Sequence, residues 1–145
     1  MDTITLTNRD ALMLYRAIHA VGGVVASIRF TYALGRTRRA LQPVVDAIDE
    51  AQQAQHAKYL ELAQAHAATD DSGEPIRESG DDRTGYRIDP ERQAAFTAAV
   101  APLNEQLAEL LAEAVEVQVH RVPLDAVPDL AAAQVDALLP MLADG

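Results

Sequence analysis

The sequence predicts a mainly α (α+β) protein, an antiparallel helical bundle with a kinked long helix and a small two- or three-stranded sheet. Apolar residues recur at helical spacing in the longest segments of the chain. The hydrophobic fraction of 49% includes only 4% aromatic residues, and the abundant Ala favours closely packed helices. Two short segments instead alternate apolar and polar residues, as strands do. Because 145 residues fit the usual size of one domain, we expect a single helical domain over residues 1–145.

The first predicted elements are a short strand and a helix. The strand covers Thr3–Leu6, and the helix begins at Thr7 or Asn8. Asp10 follows Thr7 by three residues, which resembles a capping box. Gly22-Gly23 ends the helix. One apolar stripe at helical spacing should be buried, and it consists of Ala11, Leu14, Ile18 and Val21.

A long helix is predicted from about Phe30 to about Ala68, after an extended segment. Residues 24–34 also alternate as a strand would, so two interpretations of this stretch stay open. Pro43 lacks a backbone N–H and clashes with the preceding turn, which predicts a kink or break near Gln42. The polar sequence TDDSGEPIRESGDDRTG then predicts an exposed acidic loop at about 69–85, either mobile or folded as a hairpin.

Asp89-Pro90-Glu91 predicts the start of the next helix, because it offers a capping carboxylate, a Pro in the first turn and an acid near the positive helix end. Pro102 predicts a kink, or two abutting helices. We expect the Leu residues of this helix to be buried against the long helix around Leu41–Ile48. They belong to an apolar seam that consists of Phe96, Val100, Leu103, Leu107, Leu110 and Ala114.

The C-terminal part contains a second strand and a last helix. The strand covers Val115–Val119 and ends before Pro123. It is too short to be stable alone, as is the strand near Ile4, so the two should pair. The last helix is predicted over about Ala131–Leu142.

Composition excludes several classes of function. A net charge of −10 and a pI of about 4.6 disfavour direct binding to a phosphate backbone. The chain has no apolar run of the roughly 18 residues that a membrane span needs. Its first ten residues lack the basic and apolar regions of a signal peptide, so we expect a cytoplasmic location. The absence of Cys excludes disulfides and thiolate chemistry.

No residue pattern predicts catalysis or metal binding. The four His residues are not spaced as shared metal ligands. The acids of the 69–85 loop, including Asp70-Asp71 and Asp81-Asp82, do not follow the EF-hand pattern. We therefore expect no enzymatic activity and no catalytic, cofactor-binding or metal site. The His residues are His19, His56, His66 and His120.

Two charged groups are candidates for binding a partner. The first is a basic concentration that serves either as a docking patch for an acidic partner or for nucleic acid, or as salt-bridge partners for the chain's own carboxylates. The second is a row of acids at helical spacing. It could hold a divalent cation, present a carboxylate pair for acid–base chemistry or contact a partner, and the alternative is a solvated helix face. The two groups are Arg29, Arg36, Arg38 and Arg39, and Glu105, Glu109 and Glu113.

The order of five segments resembles that in a known group of proteins. The segments are SIRFTYALGRTRRALQPVVDAIDEAQQAQHAKYLELA, SGEPI, GYRIDPERQAAF, LNEQLAELLAEAVEVQVHRVPLDAV and ALLPML. Over about residues 25–142 the chain resembles a family of small conserved proteins of unknown function from tailed bacteriophages and prophages. The resemblance implies a phage or prophage origin and supplies no catalytic residues.

These observations predict a non-enzymatic interaction protein that acts in virion assembly or structure, or as an accessory factor. Its partner would be a phage structural protein, a host protein or a second copy of the chain, in the host cytoplasm or the virion. A different interpretation starts from the net charge of −10. On that view the protein is an acidic inhibitor of a host nucleic-acid enzyme or defence system, and its carboxylates imitate DNA phosphates.

Overall fold

The computed structural model describes residues 1–24, 26–77 and 85–143. Within these ranges, four α-helices and four short strands confirm the mainly α (α+β) class. No helix in the described ranges is long and apolar enough to cross a membrane. The elements in chain order are β1 (Asp2–Thr7), α1 (Asn8–Val21), α2 (Ile28–Ala65), α3 (Gln93–Ala112), β2 (Ala114–Val119), β3 (Val122–Pro123), α4 (Ala132–Leu138) and β4 (Leu142–Ala143).

The chain forms two compact units. The first consists of Met1–Ile48 and Leu111–Gly145, and the second consists of Asp49–Leu110. Residues of α2 and of α3 therefore contribute to both units. The single domain expected over residues 1–145 stays a prediction.

In the first unit, β1 and β2 pair antiparallel, from Asp2 opposite Val119 to Thr7 opposite Ala114. The pairing predicted from the shortness of the two strands is confirmed. At the end of β1, the Thr7 hydroxyl accepts a hydrogen bond of 3.1 Å from the amide of Asp10. This bond satisfies an amide in the first turn of α1, so the strand passes directly into the helix.

The core of the first unit lies between α1, α2, β2 and the C-terminal segment. The stripe predicted for α1 is buried as expected. Burial of these side chains provides the main stabilisation of the unit, because the free energy gained scales with the apolar area removed from water. The buried residues are Ala11, Leu14, Ile18, Val21, Phe30, Ala33, Leu34, Leu41, Val117, Val119, Val122, Leu138, Met141 and Leu142.

Helix α2 begins earlier than predicted. The Ser27 hydroxyl accepts a hydrogen bond from the Phe30 amide and donates one to the Ala126 carbonyl, each of 3.2 Å. Ser27 therefore caps the helix, and the strand interpretation is wrong from Ile28 onwards. The helix then runs through Pro43 without a break. Pro43 and Arg39 are exposed, so water can reach the carbonyl that the missing N–H leaves free.

The C-terminal segment differs from the predicted helix over Ala131–Leu142. Helix α4 ends at Leu138, and Leu139–Met141 form a 3-10 turn that contains Pro140. Pro has no amide to continue the helical ladder. The chain then extends, and β4 pairs in parallel with β3, a pairing that the sequence did not predict.

The second unit has its own smaller core. Ala63, Phe96 and Val100 are buried together. The chain before α3 is held by isolated bridges between Ala67 and Ile88 and between Arg77 and Tyr86. These bridges agree with the hairpin interpretation of the acidic loop where it is described, and residues 78–84 lie outside the described ranges.

The start of α3 follows the predicted signal. The Asp89 carboxylate accepts a hydrogen bond of 3.0 Å from the Glu91 amide, and Pro90–Arg92 form a 3-10 turn that leads into the helix. Helix α3 then continues through Pro102, so the predicted pair of abutting helices is not formed. Pro102 is exposed, as is Ala98 four residues earlier.

Candidate protein-interaction surface

The first three turns of α2 expose one face that is both apolar and basic. Ile28 is 90% exposed and Tyr32 is 53% exposed. At 3.6 residues per turn, these two side chains lie on the same helix face as three exposed Arg residues. We call this face the α2 surface, and it consists of Ile28, Arg29, Tyr32, Arg36 and Arg39.

Contacts on two sides hold the Tyr32 ring in place. The His120 ring meets it edge-on at 5.2 Å between ring centroids. The Arg36 guanidinium lies over the same ring, 6.0 Å from its centroid, and also donates a hydrogen bond of 3.4 Å to the sulfur of Met1. The Tyr32 hydroxyl has no hydrogen-bond partner among the described residues. A half-exposed ring that is already positioned loses little side-chain entropy when it binds a partner.

The Arg residues of the α2 surface are not neutralised within the described part of the chain. The ion pairs found there join Arg92 to Asp89 and Arg121 to Asp2. None of the four Arg residues predicted as a group forms an ion pair with a carboxylate in these ranges. The sequence had left open whether they pair with the chain's own acids. In the described structure they do not, although the chain carries 22 acidic residues.

The structure divides the predicted basic group into two parts. Arg29 and Arg36 are seven residues apart, about two helical turns, and share one face. Arg38 follows Arg29 by nine residues, about two and a half turns, so it lies on the opposite side of the helix. There it lines a cavity of about 360 Å³ between α1 and α2. The sequence did not predict this cavity, although a Gly inside a helical pattern, here Gly35, can indicate a packing or functional role.

The three acidic candidates, Glu105, Glu109 and Glu113, are exposed, and they do not all lie on one helix. Glu105 and Glu109 lie on α3 in the second unit, whereas Glu113 follows the end of the helix and belongs to the first unit. The expected row of three on one helix is therefore wrong at Glu113. None of the three side chains has a hydrogen bond or ion pair with a described residue.

The apolar seam of α3 is only partly buried. Phe96 and Val100 belong to the core of the second unit. Farther along the helix, the Leu residues are half-buried and line a cavity of about 230 Å³. Ala51, Ala54, Gln55 and Lys58 also line this cavity. The expectation that these Leu side chains are buried is wrong, because each is only half-buried. The half-buried Leu residues are Leu103, Leu107 and Leu110.

The described residues contain no group of three or more His, Asp or Glu side chains that could hold a metal ion. The His66 ring is hydrogen-bonded through Nδ1 to the Leu62 carbonyl at 2.7 Å and packs on Phe96. The His19 ring lies against Tyr15. These contacts give the two His side chains structural roles.

Asp70 organises the turn at the start of the acidic loop. Its Oδ1 accepts hydrogen bonds from the Ser72 hydroxyl at 2.6 Å, the Ser72 amide at 2.9 Å and the Glu74 amide at 3.0 Å. The bond from the Ser72 hydroxyl, followed by that from Glu74, lowers the pKa of Asp70. Gly73 has a φ of 83°, which favours Gly because it has no Cβ. The Asp70 carboxylate therefore stabilises a turn. The second acidic pair of the loop, Asp81-Asp82, lies outside the described residues.

Comparisons of the chain with protein-family models, with curated proteins and with solved structures give no match.

Proposed function

We propose that this protein is a non-enzymatic interaction protein that docks on a partner protein through the α2 surface. The carrying observation is that exposed Ile28 and Tyr32 lie on the same helix face as Arg residues that have no carboxylate partner in the described structure. Tyr and Arg are among the residues that contribute most to binding energy in protein interfaces. A face with both types offers apolar area together with charged hydrogen-bond donors.

The chemistry of the α2 surface defines the kind of partner. Ile28 and Tyr32 require apolar contact, and the three guanidinium groups require acceptors, so the partner surface is apolar at its centre and acidic at its edge. A nucleic-acid partner fits less well, because the net charge of −10 opposes approach to a phosphate backbone. A second copy of the chain would offer exposed carboxylates such as Glu105 and Glu109.

The biological setting in this proposal is a tailed bacteriophage or prophage. The protein acts in virion assembly or structure, or as an accessory factor, in the host cytoplasm or the virion. The support is the resemblance in segment order over about residues 25–142. A small interaction protein without a catalytic site is compatible with that setting.

Paired substitutions test the α2 surface. The tagged chain is purified from cells that naturally produce it, the bound proteins are identified by mass spectrometry, and calorimetry measures the affinity of the purified pair. Ile28→Asp and Arg36→Glu should each weaken binding by about tenfold or more, as expected for central interface residues. The matched controls are Met13→Asp, at a position that is 56% exposed on α1, and Arg16→Glu, also exposed on α1.

The control variants should bind as the wild type does, and thermal unfolding should show that all four variants are folded. Equal affinity of wild type, Ile28→Asp and Arg36→Glu would overturn the proposal. Analytical ultracentrifugation of the purified chain addresses self-association. Dimerisation that Ile28→Asp abolishes would support the α2 surface, with a second copy as the partner.

A second candidate function is inhibition of a nucleic-acid enzyme by charge mimicry. It is favoured by exposed carboxylates such as Glu105 and Glu109, which lack partners in the described structure. The two lie about 6 Å apart along the helix axis, and duplex DNA carries three to four charges over roughly that length, at about one per 1.7 Å. This pair therefore has a lower charge density than DNA, and we place mimicry second.

A further inference from the structure

The cavity between α1 and α2 has the size of a small-molecule site. Its volume of about 360 Å³ falls in the usual range of roughly 300–1,000 Å³ for such sites. It lies within the first unit, between the end of α1 and the first three turns of α2. The lining residues are Ile18, His19, Val21, Gly22, Val24, Thr31, Leu34, Gly35 and Arg38.

Gly35 leaves space in this cavity that internal packing does not require. A Cβ added at Gly35 would have no heavy atom within 4 Å. Gly in the interior of a helix destabilises it by roughly 0.5–1 kcal/mol relative to Ala, and Gly35 lies well inside α2. No close approach of another element therefore requires a Gly at this position. The space above Gly35 is therefore available to a bound molecule.

The lining combines an apolar floor with cationic and polar groups. Ile18, Val21 and Leu34 are buried and apolar. Arg38 is exposed at the rim and has no ion pair or hydrogen bond with a described residue. None of the lining residues is acidic, in a chain with 22 acidic residues. A guanidinium can bind a carboxylate through two parallel hydrogen bonds.

The C-terminal end of α1 repels an anion, and this repulsion restricts where in the cavity an anion can bind. The C-terminus of a helix carries about half a negative charge, and His19, Val21 and Gly22 at that end line the cavity. The amide of Gly22 donates to the His19 carbonyl and that of Val24 to the Val21 carbonyl, so two carbonyls of the last turn are satisfied. The full charge of Arg38 exceeds the remaining dipole. The anionic group of a bound molecule is therefore expected at Arg38, and its apolar part against the buried side chains of Ile18, Val21 and Leu34.

We propose that this cavity binds a small organic carboxylate with an apolar body. Arg38 binds the carboxylate, Thr31 offers a hydroxyl, and Ile18, Val21 and Leu34 contact the apolar part above Gly35. Gly35 follows Ile28 by seven residues, about two turns, so the site borders the α2 surface. It shares no residue with that surface and does not depend on the proposed docking function.

Hexanoate and its neutral analogue hexanamide test the charge requirement. Calorimetry and amide chemical shifts of Thr31 and Gly35 should show that hexanoate binds and that hexanamide binds at least about tenfold more weakly, since a charged hydrogen bond is lost. Acetyl-leucinate serves as a second carboxylate. Stronger binding of acetyl-leucinate than of hexanoate would indicate a peptide C-terminus as the ligand, and the reverse order would indicate a free acid.

Two variants test the location of the site. Arg38→Gln should weaken hexanoate binding by about tenfold or more, whereas Arg39→Gln, the neighbouring exposed Arg, should not change it. Gly35→Leu should abolish binding because its side chain fills the cavity, and its thermal unfolding should show a folded protein. The proposal is overturned if the wild type does not bind hexanoate, if hexanamide binds equally well, or if Arg38→Gln binds as the wild type does. Ile28→Asp should leave hexanoate binding unchanged, which separates this site from the α2 surface.

Discussion

Thr37 is the buried polar side chain of the described structure, and it links α2 to the chain after β2. Its side chain is fully buried, and its hydroxyl accepts a hydrogen bond of 2.9 Å from the amide of His120. The His120 ring in turn contacts Tyr32. One buried hydroxyl therefore helps to position an aromatic side chain of the α2 surface.

Thr37→Val tests this link because it keeps the side-chain shape and removes the acceptor. The unsatisfied His120 amide should reduce the free energy of unfolding by about 1–3 kcal/mol, and hydrogen exchange of that amide should become faster. Thr37→Ser keeps the hydroxyl and should keep the amide protected. Unchanged exchange at His120 in Thr37→Val would show that the bond contributes nothing to this connection.

Asp70 provides a second prediction at the scale of single residues. Its pKa is lowered mainly by the hydrogen bond from the Ser72 hydroxyl. Ser72→Ala should therefore raise this pKa toward the ordinary range of Asp, as measured by a carbon-13 NMR titration of the carboxyl group. An unchanged Asp70 titration would contradict the assignment to Ser72.

The lowered pKa also determines the sign of the pH dependence. The unfolded chain binds this proton more tightly than the folded chain does. The contribution of Asp70 to stability is therefore present above its unfolded pKa, and it is lost as the pH falls through the lower folded pKa. The loss occurs at acidic pH, over the interval between the unfolded and the folded pKa of Asp70. Ser72→Ala should narrow this interval because it raises the folded pKa.

At the scale of elements, patterns that act between neighbouring residues were predictable. The α1 stripe, the Thr7 cap and the Asp89-Pro90 start follow from helical spacing and from the needs of the first amides. The pairing of β1 with β2 was also predictable, because neither short strand is stable alone. Because these signals act between neighbouring residues, the bounds of α1, β1 and β2 are close to those expected.

Features that depend on distant partners were not predictable. The start of α2 depends on Ser27, whose hydroxyl also contacts Ala126, 99 residues away in sequence. The β3–β4 pair joins Val122 to Leu142, and neither segment has enough residues to form a periodic pattern. The α2 surface combines Arg residues that the sequence did indicate with Ile28 and Tyr32, whose exposure only the packing of Phe30 and Leu34 reveals.

The two halves of the α3 seam should differ in their effect on stability. Phe96 is buried against Tyr59 and His66, with ring centroids 5.6 and 5.8 Å away. Phe96→Ala should therefore cost about 3–5 kcal/mol. Leu107 is half-buried beside an existing cavity, so Leu107→Ala should cost less than the roughly 2 kcal/mol at the lower end for buried Leu. Chemical denaturation measures both values, and a larger loss for Leu107→Ala would contradict the described packing.

At the scale of the whole molecule, the charge is uneven. The chain has a net charge of −10, yet the α2 surface and the cavity at Arg38 present guanidinium groups without carboxylate partners in the described structure. A strong negative charge keeps copies of a protein apart in solution. The α2 surface is a basic face on this negatively charged molecule. An acidic partner is therefore attracted only when it approaches that face.

The effect of salt on binding distinguishes the two candidate functions. Salt screens exposed charges over about 10 Å at 0.1 M and about 3 Å at 1 M. If the protein docks through the α2 surface, the affinity should decrease moderately with salt, because Ile28 and Tyr32 contribute apolar contacts that salt does not screen. If carboxylates imitate phosphates, the decrease should be steep, and it should depend on the acidic residues.

The variant with Glu105, Glu109 and Glu113 all replaced by Gln completes this test. With docking through the α2 surface, the triple variant should bind the partner as the wild type does, and Arg29→Gln with Arg36→Gln should reduce the salt dependence and the association rate. Calorimetry and stopped-flow measurements at low and high salt provide both quantities. A strong loss of affinity in the triple variant, together with an unchanged salt dependence in the Arg variant, would replace the docking function with mimicry. We expect the opposite result, because Glu113 lies beyond the end of α3 and the two remaining carboxylates have a lower charge density than duplex DNA.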